Sequence, residues 1–414
     1  MLSPTDNSKN QPASRLATIL MHRRVNNLKS GSGVHLMCLC ACLIEAGYEI
    51  RIILAPRTSF GRIPFCKPDK VLAEHGISIE WPKTVRIGGI YVSSCSGVWA
   101  KAIRRLFTYM VSALRLWLGG TRRPYPSDLG KTLGSSEARK VQEAANKKPS
   151  DLVIAEYSSL APLLGGCDAA KRATLIHDLL SSRAGSFRQA GRAPDHTPIT
   201  VRQECERLMQ ADLCIHASQL EANLLQEKLP HIKHIWMRPL IADNRGALGG
   251  APRVVFIGTS HDGNRAALDL IVNDIWPRVR AEVKCELWIV GEISSWVTGN
   301  PEGIRCFHPI EDLCELANGN SIGIAPMLAA SGISIKIGTY LELGMRVLTF
   351  EDTLKAYGDT LDGLVTAVAT PEEFSSALIS MLKNQDQTAQ DPLDVLSQLQ
   401  ATMKNDELLN YLKA

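Results

Sequence analysis

Ser321-Ile322-Gly323-Ile324-Ala325-Pro326, followed by Ser331-Gly332-Ile333-Ser334-Ile335-Lys336, decides how this chain is read. The first stretch is mostly apolar and predicts a short buried strand over 321–326. A turn of small residues then opens a helix near Ile333. The same unit recurs on both sides. Strands are predicted over 253–258, 286–291, 304–307, 346–350 and 363–368, with helices starting near Asn264 and Asp312. Upstream, strands are predicted over 16–24, 48–55, 152–156, 173–176 and 211–217, with helices over 33–46 and 201–210. Strand–helix alternation of this length predicts an α/β protein.

Between the two series lie Ala242-Asp243-Asn244-Arg245-Gly246 and Gly249-Gly250-Ala251-Pro252, a composition suited to a linker. The expected organisation is an N-terminal domain over 1–240, a linker over 241–252, a C-terminal domain over 253–385 and a helical tail over 386–414. Two consecutive open α/β domains create a cleft between facing strand ends, where a ligand is gripped from both sides.

Composition narrows the classes. The 414 residues are 45% hydrophobic and 21% charged, which excludes wholesale disorder and fibrous repeats. No apolar run reaches the roughly 18 residues of a membrane-spanning helix. The polar start and the short apolar stretch over 16–21 predict no secretory signal, hence a cytoplasmic protein. The eleven cysteines include no Cys-x-x-Cys pair. Cys38, Cys40 and Cys42 alternate within an apolar segment, so buried reduced thiols are expected and no metal site.

Charge is unevenly spread. Residues 1–150 carry 23 Lys and Arg against 9 Asp and Glu, whereas the remainder carries 23 against 33. A half this basic suits an anionic partner such as a membrane surface, a phosphorylated acceptor or a nucleic acid; a solvated basic face gives the same count. The basic residues follow no nucleic-acid-binding motif, so no nucleic acid partner is expected. Trp99, Ile103, Leu106, Phe107, Met110, Leu114 and Trp117 recur at helical spacing, with Lys101, Arg105, Thr108, Ser112 and Arg115 on the other side. That describes an interfacial helix on anionic lipid, with contact to membrane or acceptor through Trp99, Lys101, Arg105, Phe107, Arg115 and Trp117. An ordinary amphipathic helix covering a sheet shows the same stripe.

Two further features point to a ligand. Lys29-Ser30-Gly31-Ser32-Gly33 is a small-residue turn opening a helix, where backbone N–H groups favour an anion; many such turns bind nothing. His177-Asp178 closes a predicted strand, at the end of an α/β sheet where ligands gather.

Residues 250–385 resemble the retaining nucleotide-sugar glycosyltransferases of family four. The resemblance rests on Phe256-Ile257-Gly258 with Asn264 beyond, Ile275-Trp276-Pro277-Arg278-Val279-Arg280, Leu287-Trp288-Ile289-Val290-Gly291, the opening stretch above, and Leu343-Gly344-Met345-Arg346-Val347. In the N-terminal half it rests on the turn ending at Gly33, on Leu175-Ile176-His177-Asp178, and on Ala211-Asp212 with Ser218 and Glu221. It implies the GT-B fold, in which two Rossmann-like domains face each other across a cleft. It also implies transfer of a sugar from a nucleotide-diphosphate donor to a glycan or lipid-linked acceptor, with retention and without a metal, in polysaccharide or glycoconjugate biosynthesis.

The site implied by this resemblance has His177 and Lys336 as its catalytic pair. Gly33, Arg265, Ser331, Gly332, Ile333 and Ser334 bind the diphosphate, and Gly258, Thr259 and Ser260 line the donor cleft. Helix-start amides with an ammonium group can receive the leaving charge. The chain departs from the family where two carboxylates eight residues apart are usual: Ser331 and Thr339 stand there. Glu342, three residues after Thr339, is either a replacement ribose ligand beside Thr339 or a surface charge. A basic pair often found after the first strand is replaced by Thr259 and Ser260. These departures give the second reading, a non-catalytic GT-B subunit that binds a nucleotide sugar or serves in assembly. A nucleotide-sugar epimerase shares the fold but uses acidic cleft residues with no counterpart here. Peripheral attachment to the inner membrane face is the associated expectation.

Overall fold

The computed structural model describes residues 15–24, 31–60, 63–67, 72, 75–117, 129–189, 191, 193–194, 196–239, 242, 244, 251–299, 301–308, 310, 313–316, 320–328, 332–384 and 392–414. The chain builds two α/β domains. In the first, seven parallel strands run in the order β10-β9-β8-β7-β1-β2-β4. They are β1 (Arg15–Met21), β2 (Tyr48–Leu54), β4 (Ser78–Glu80), β7 (Ser150–Glu156), β8 (Ala169–Ile176), β9 (Leu213–His216) and β10 (Lys233–Trp236). Runs such as Leu16–Met21 are buried along their whole length because both faces of the sheet are covered, so the strands read as continuous apolar stretches. One face packs Ile19, Ile52, Ile154 and Leu175 against helix α1 (Gly31–Glu45); the other packs Leu20, Val153 and Ile176.

Arg51 on β2 donates to Thr18 Oγ1 and to the carbonyls of Ala145 and Lys148, which offsets its removal from water.

The connection between β2 and β7 holds a small antiparallel sheet in the order β3-β6-β5. Its strands are β3 (Phe65–Cys66), β5 (Thr84–Ile87) and β6 (Ile90–Ser93), and none of them was legible from periodicity. Helix α2 (Ser96–Trp117) follows. The first domain also contributes α3 (Val201–Leu208) and α4 (Gln219–Lys228). The latter begins at Ser218, whose side chain accepts from Glu221 N.

The second domain is a six-stranded parallel sheet in the order β13-β12-β11-β14-β15-β16. Its strands are β11 (Arg253–Ile257), β12 (Glu286–Val290), β13 (Ile304–Phe307), β14 (Ser321–Ala325), β15 (Arg346–Phe350) and β16 (Thr366–Val368). Each lies within its predicted span. The helices flanking the cleft are α5 (Asp262–Leu270) and α6 (Ile335–Glu342). Where a helix was expected near Asp312, the described residues hold only a 3-10 turn, Leu313–Leu316.

The tail forms α7 (Pro392–Thr402) and α8 (Asp406–Lys413) and ties the domains together. Leu399 and Met403 pack in the second domain's cluster. Leu408 and Leu412 enter the first domain's core, where the Leu412 carbonyl accepts from Arg15 and from Tyr48 Oη.

Candidate functional site

The carboxyl ends of the two sheets face each other, and two helix starts meet between them. A Cβ built on Gly31, the first residue of α1, would lie 3.6 Å from Cδ1 of Ile335, the first residue of α6. First-turn amides have no intrahelical acceptor and carry the positive end of the helix dipole. Two such ends placed tip to tip favour an anion between them. Gly33 lies buried within the first turn of α1. The turn before Gly31 and Ser331 lie outside the described residues.

Ser334 stands at the N-cap of α6, and its Oγ is buried with no partner. Two residues on, Lys336 Nζ donates to Asn264 Oδ1 at 2.6 Å. Asn264 Nδ2 in turn donates to the Thr259 carbonyl at 3.0 Å. This network links Lys336 to the loop after β11, where Gly258, Thr259 and Ser260 sit. Burial among uncharged neighbours pushes the Lys336 ammonium down to about 8, so a bound anion would supply the missing counter-charge.

Gly332 joins the lobes. Its φ of +63° is the left-handed conformation that glycine tolerates, and an added Cβ there would strike the His177 carbonyl oxygen. The His177 backbone, on the N-terminal lobe, therefore lies against the segment leading into Lys336. This conformation turns the Gly332 amide toward the other lobe, where it donates to Glu221 Oε1 at 3.0 Å. That corrects the expected diphosphate role of this amide: a buried carboxylate already occupies it. Glu221 Oε2 accepts from Leu179 N. Desolvation, with Asp178 nearby, raises its carboxyl to about 8.

His177 is clamped at both ring nitrogens. Nε2 lies 3.1 Å from Glu156 Oε1, and Nδ1 lies 2.9 Å from His35 Nδ1. A carboxylate only accepts, so Glu156 fixes His177 as the Nε2–H tautomer. His177 Nδ1 is then the acceptor for His35 Nδ1–H. Tyr157, next along the chain, has a positive φ and sets its ring 4.8 Å from the His177 ring. A strained residue beside a functional side chain fits a site the fold holds in place. Asp178 pairs with Arg183, whose Nη2 reaches His261 Nε2 at 2.6 Å across the cleft.

Other predicted residues have different employment. Arg265 is not a free second cation: Asp262 pairs with it at 2.6 Å, and its guanidinium stacks over Trp296. Ser260 donates to Glu292. Glu342 is half-buried, and its carboxylate accepts from Ala242 N and so braces the connector. Ile333 and Thr339 are half-buried along the same segment. Sequence reasoning gave no role to Glu156, His35, Tyr157 or Glu221; a carboxylate closing the apolar strand β7 was the one available signal.

The helix expected at 99–117 is present, and its apolar face is open to solvent: Ile103, Leu106, Phe107, Met110 and Leu114 are all exposed. It therefore does not act as a sheet cover. Trp99 is pinned by donating its indole N–H to the Ser93 carbonyl. Lys101 and Arg105 lie half-buried on the same helix, while the side chains of Arg115 and Trp117 lie outside the described set. Among the described residues, no helix is long and apolar enough to cross a membrane.

Comparison with known proteins agrees with this architecture. Residues 251–384 match the family described as Glycosyl transferases group 1. No curated protein matches the sequence. Among solved structures, sucrose-phosphate synthase from Thermosynechococcus elongatus aligns with a TM-score of 0.58 at 11% identity, over 96% of this chain and 97% of that one. WaaG, a glycosyltransferase involved in lipopolysaccharide biosynthesis, aligns at 0.56 and 11%, over 96% of this chain and 100% of that one. Anabaena HepE in complex with UDP aligns at 0.56 and 11%, over 96% and 97%. At such identity the likeness shows the fold, two Rossmann-like domains in the GT-B arrangement. Residues 251–384 thus match the glycosyl transferases group 1 model, and the chain as a whole has the GT-B fold.

Proposed function

We propose that the protein transfers a sugar from a nucleotide-diphosphate donor to a glycan or lipid-linked acceptor, with retention, in polysaccharide or glycoconjugate biosynthesis. The observation that carries this reading is the meeting of the α1 and α6 starts beside Lys336, opposite His177. Departure of a nucleoside diphosphate increases negative charge there, and helix-start amides, the Ser334 hydroxyl and the Lys336 ammonium can receive it without magnesium or manganese. The UDP held by the structurally similar HepE supports a nucleoside diphosphate in the equivalent cleft.

The acceptor is anchored at a membrane, and the enzyme works peripherally on the inner, cytoplasmic face. The open apolar face of α2 supports this, together with exposed Val85, Ile87 and Ile90 on the β5–β6 hairpin and the excess of basic residues over 1–150.

Screening nucleotide sugars for thermal stabilisation of the purified chain identifies the donor, because a ligand that binds only the folded state raises its stability. The stabilising donor should then be hydrolysed or transferred, without added divalent ion, and His177→Ala and Lys336→Ala should each abolish this. A donor that stabilises the protein yet is never turned over would favour the binding-subunit reading, which the missing family carboxylates support.

A further inference from the structure

A second group of chemistry-bearing side chains lies on the other arm of the first sheet. β9 and β10 pair in parallel with His234 opposite Cys214. Cys214 and His216 are two apart on β9 and therefore share a face. One ligand atom from each of Cys214, His216 and His234 falls within 4.8 Å of the other two, the best-converged set of metal-ligating groups among the described residues. His216 Nε2 and His234 Nδ1 are 2.9 Å apart. Cys214 and His216 are fully buried, and His234 is half-buried.

The tautomers point the same way. His35 donates through Nδ1 to His177, which leaves His35 Nε2 as a buried lone pair without a partner. His216 interacts electrostatically with His35, and His216 Nδ1 is likewise buried without a partner. A proton on His216 Nδ1 is one of the two neutral tautomers open to this ring. It leaves His216 Nε2 bare, aimed at His234 Nδ1 and close to the Cys214 sulfur. Without an ion, one of these two nitrogens carries the proton of the 2.9 Å contact. Moving it to the ring's other nitrogen leaves two imidazole nitrogens and a sulfur converging in an apolar interior, donors that match a borderline-soft cation.

We propose that Cys214, His216 and His234 bind one zinc-class ion that pins the edge strand β10 to β9. The Cys214 thiol gives up its proton on binding, and the released proton passes to solvent. The ion is structural, because the site is closed.

The test uses the full chain purified without chelator. Metal analysis should return about one zinc per chain, and replacement by cobalt should give a thiolate-to-cobalt charge-transfer band. Stripping the ion should lower the melting temperature, and adding zinc back should restore it. Cys214→Ser should abolish the charge-transfer band. His234→Gln, at the half-buried position, should bind zinc at least about tenfold more weakly and keep the native circular dichroism. If Cys214→Ser does not fold, His234→Gln and stripped wild-type protein still decide the matter. Protein isolated without metal, whose melting temperature zinc does not raise, would overturn the proposal. So would wild-type zinc affinity in His234→Gln.

Discussion

The backbone N–H of Gly332, on the C-terminal lobe, donates across the cleft to the carboxylate of Glu221 on the N-terminal lobe at 3.0 Å. The cleft is thus closed at this point by one hydrogen bond whose acceptor sits at the start of α4. The same glycine packs against the His177 backbone, so a change at this position is felt by both lobes.

Gly332→Ala should be costly for two reasons. The left-handed backbone adds about 1–2 kcal/mol for a residue with a Cβ, and the new methyl group meets the His177 carbonyl oxygen. Chemical denaturation should show a loss of at least that size, and donor turnover should fall with it. Wild-type stability in this variant would mean that the lobes do not meet here.

Glu221 makes the lobe contact pH-dependent. Desolvation, followed by Asp178, raises its carboxyl from the ordinary 4.5 to about 8. A group raised on folding stabilises fully below its unfolded value and loses that contribution as pH rises through its folded value. The melting temperature should therefore decline between about pH 4.5 and pH 8, and Glu221→Gln should flatten the decline.

Lys336 produces opposite trends in binding and stability. Desolvation lowers its ammonium from 10.5 to about 8. Donor capture needs the charged form, so kcat/KM should fall as pH rises through about 8. The unfolded chain binds more protons between about 8 and 10.5, so this residue's effect on stability improves over the same range. Lys336→Met should remove both trends and lower kcat/KM by about 100-fold or more, the scale of losing one charge-stabilising donor. A Lys336→Met enzyme with the wild-type pH profile would assign the titration to another group.

Glu156 acts on the reaction through His177. Glu156→Gln keeps a hydrogen-bond acceptor but frees the histidine tautomer, since a neutral amide can donate as well as accept. On the proposed role of His177, kcat should drop while the donor KM changes little, because the ring is misoriented rather than lost. His177→Ala instead leaves Glu156 buried without its partner and should also cost about 1–3 kcal/mol in stability. Equal KM and kcat effects in Glu156→Gln would point to a simple binding role.

Membrane attachment is read on α2. Ile103→Ser with Leu106→Ser replaces two exposed side chains, so the melting temperature should move little. Co-flotation with anionic liposomes should be lost, and high salt should weaken it in the wild type. Flotation that survives both would remove the lipid surface from the proposal.

Local order in the chain settled the α/β class and every strand of the second sheet, but left β3, β4, β5, β6 and β10 unread. A buried parallel strand announces itself as a continuous apolar run ended by small residues, as in β14 and β11. It also settled the stripe on α2, although the 3.6-residue period is the same whether that face meets a core or open solvent; only the packing around Phe107 shows it exposed. Tertiary structure alone decided who meets whom in the cleft. Glu156 and His177 stand side by side because β7 and β8 are neighbours, and Gly332 reaches Glu221 because two separately folded sheets point their carboxyl ends at each other. The employment of Glu342 by the connector and of Leu412 by the first domain's core likewise depends on three-dimensional proximity, whereas Asp262 and Arg265 are an i, i+3 pair within one helix. Periodicity reports which face of an element is apolar, but it carries no record of partners more than 100 residues away, such as Gly332 and Glu221.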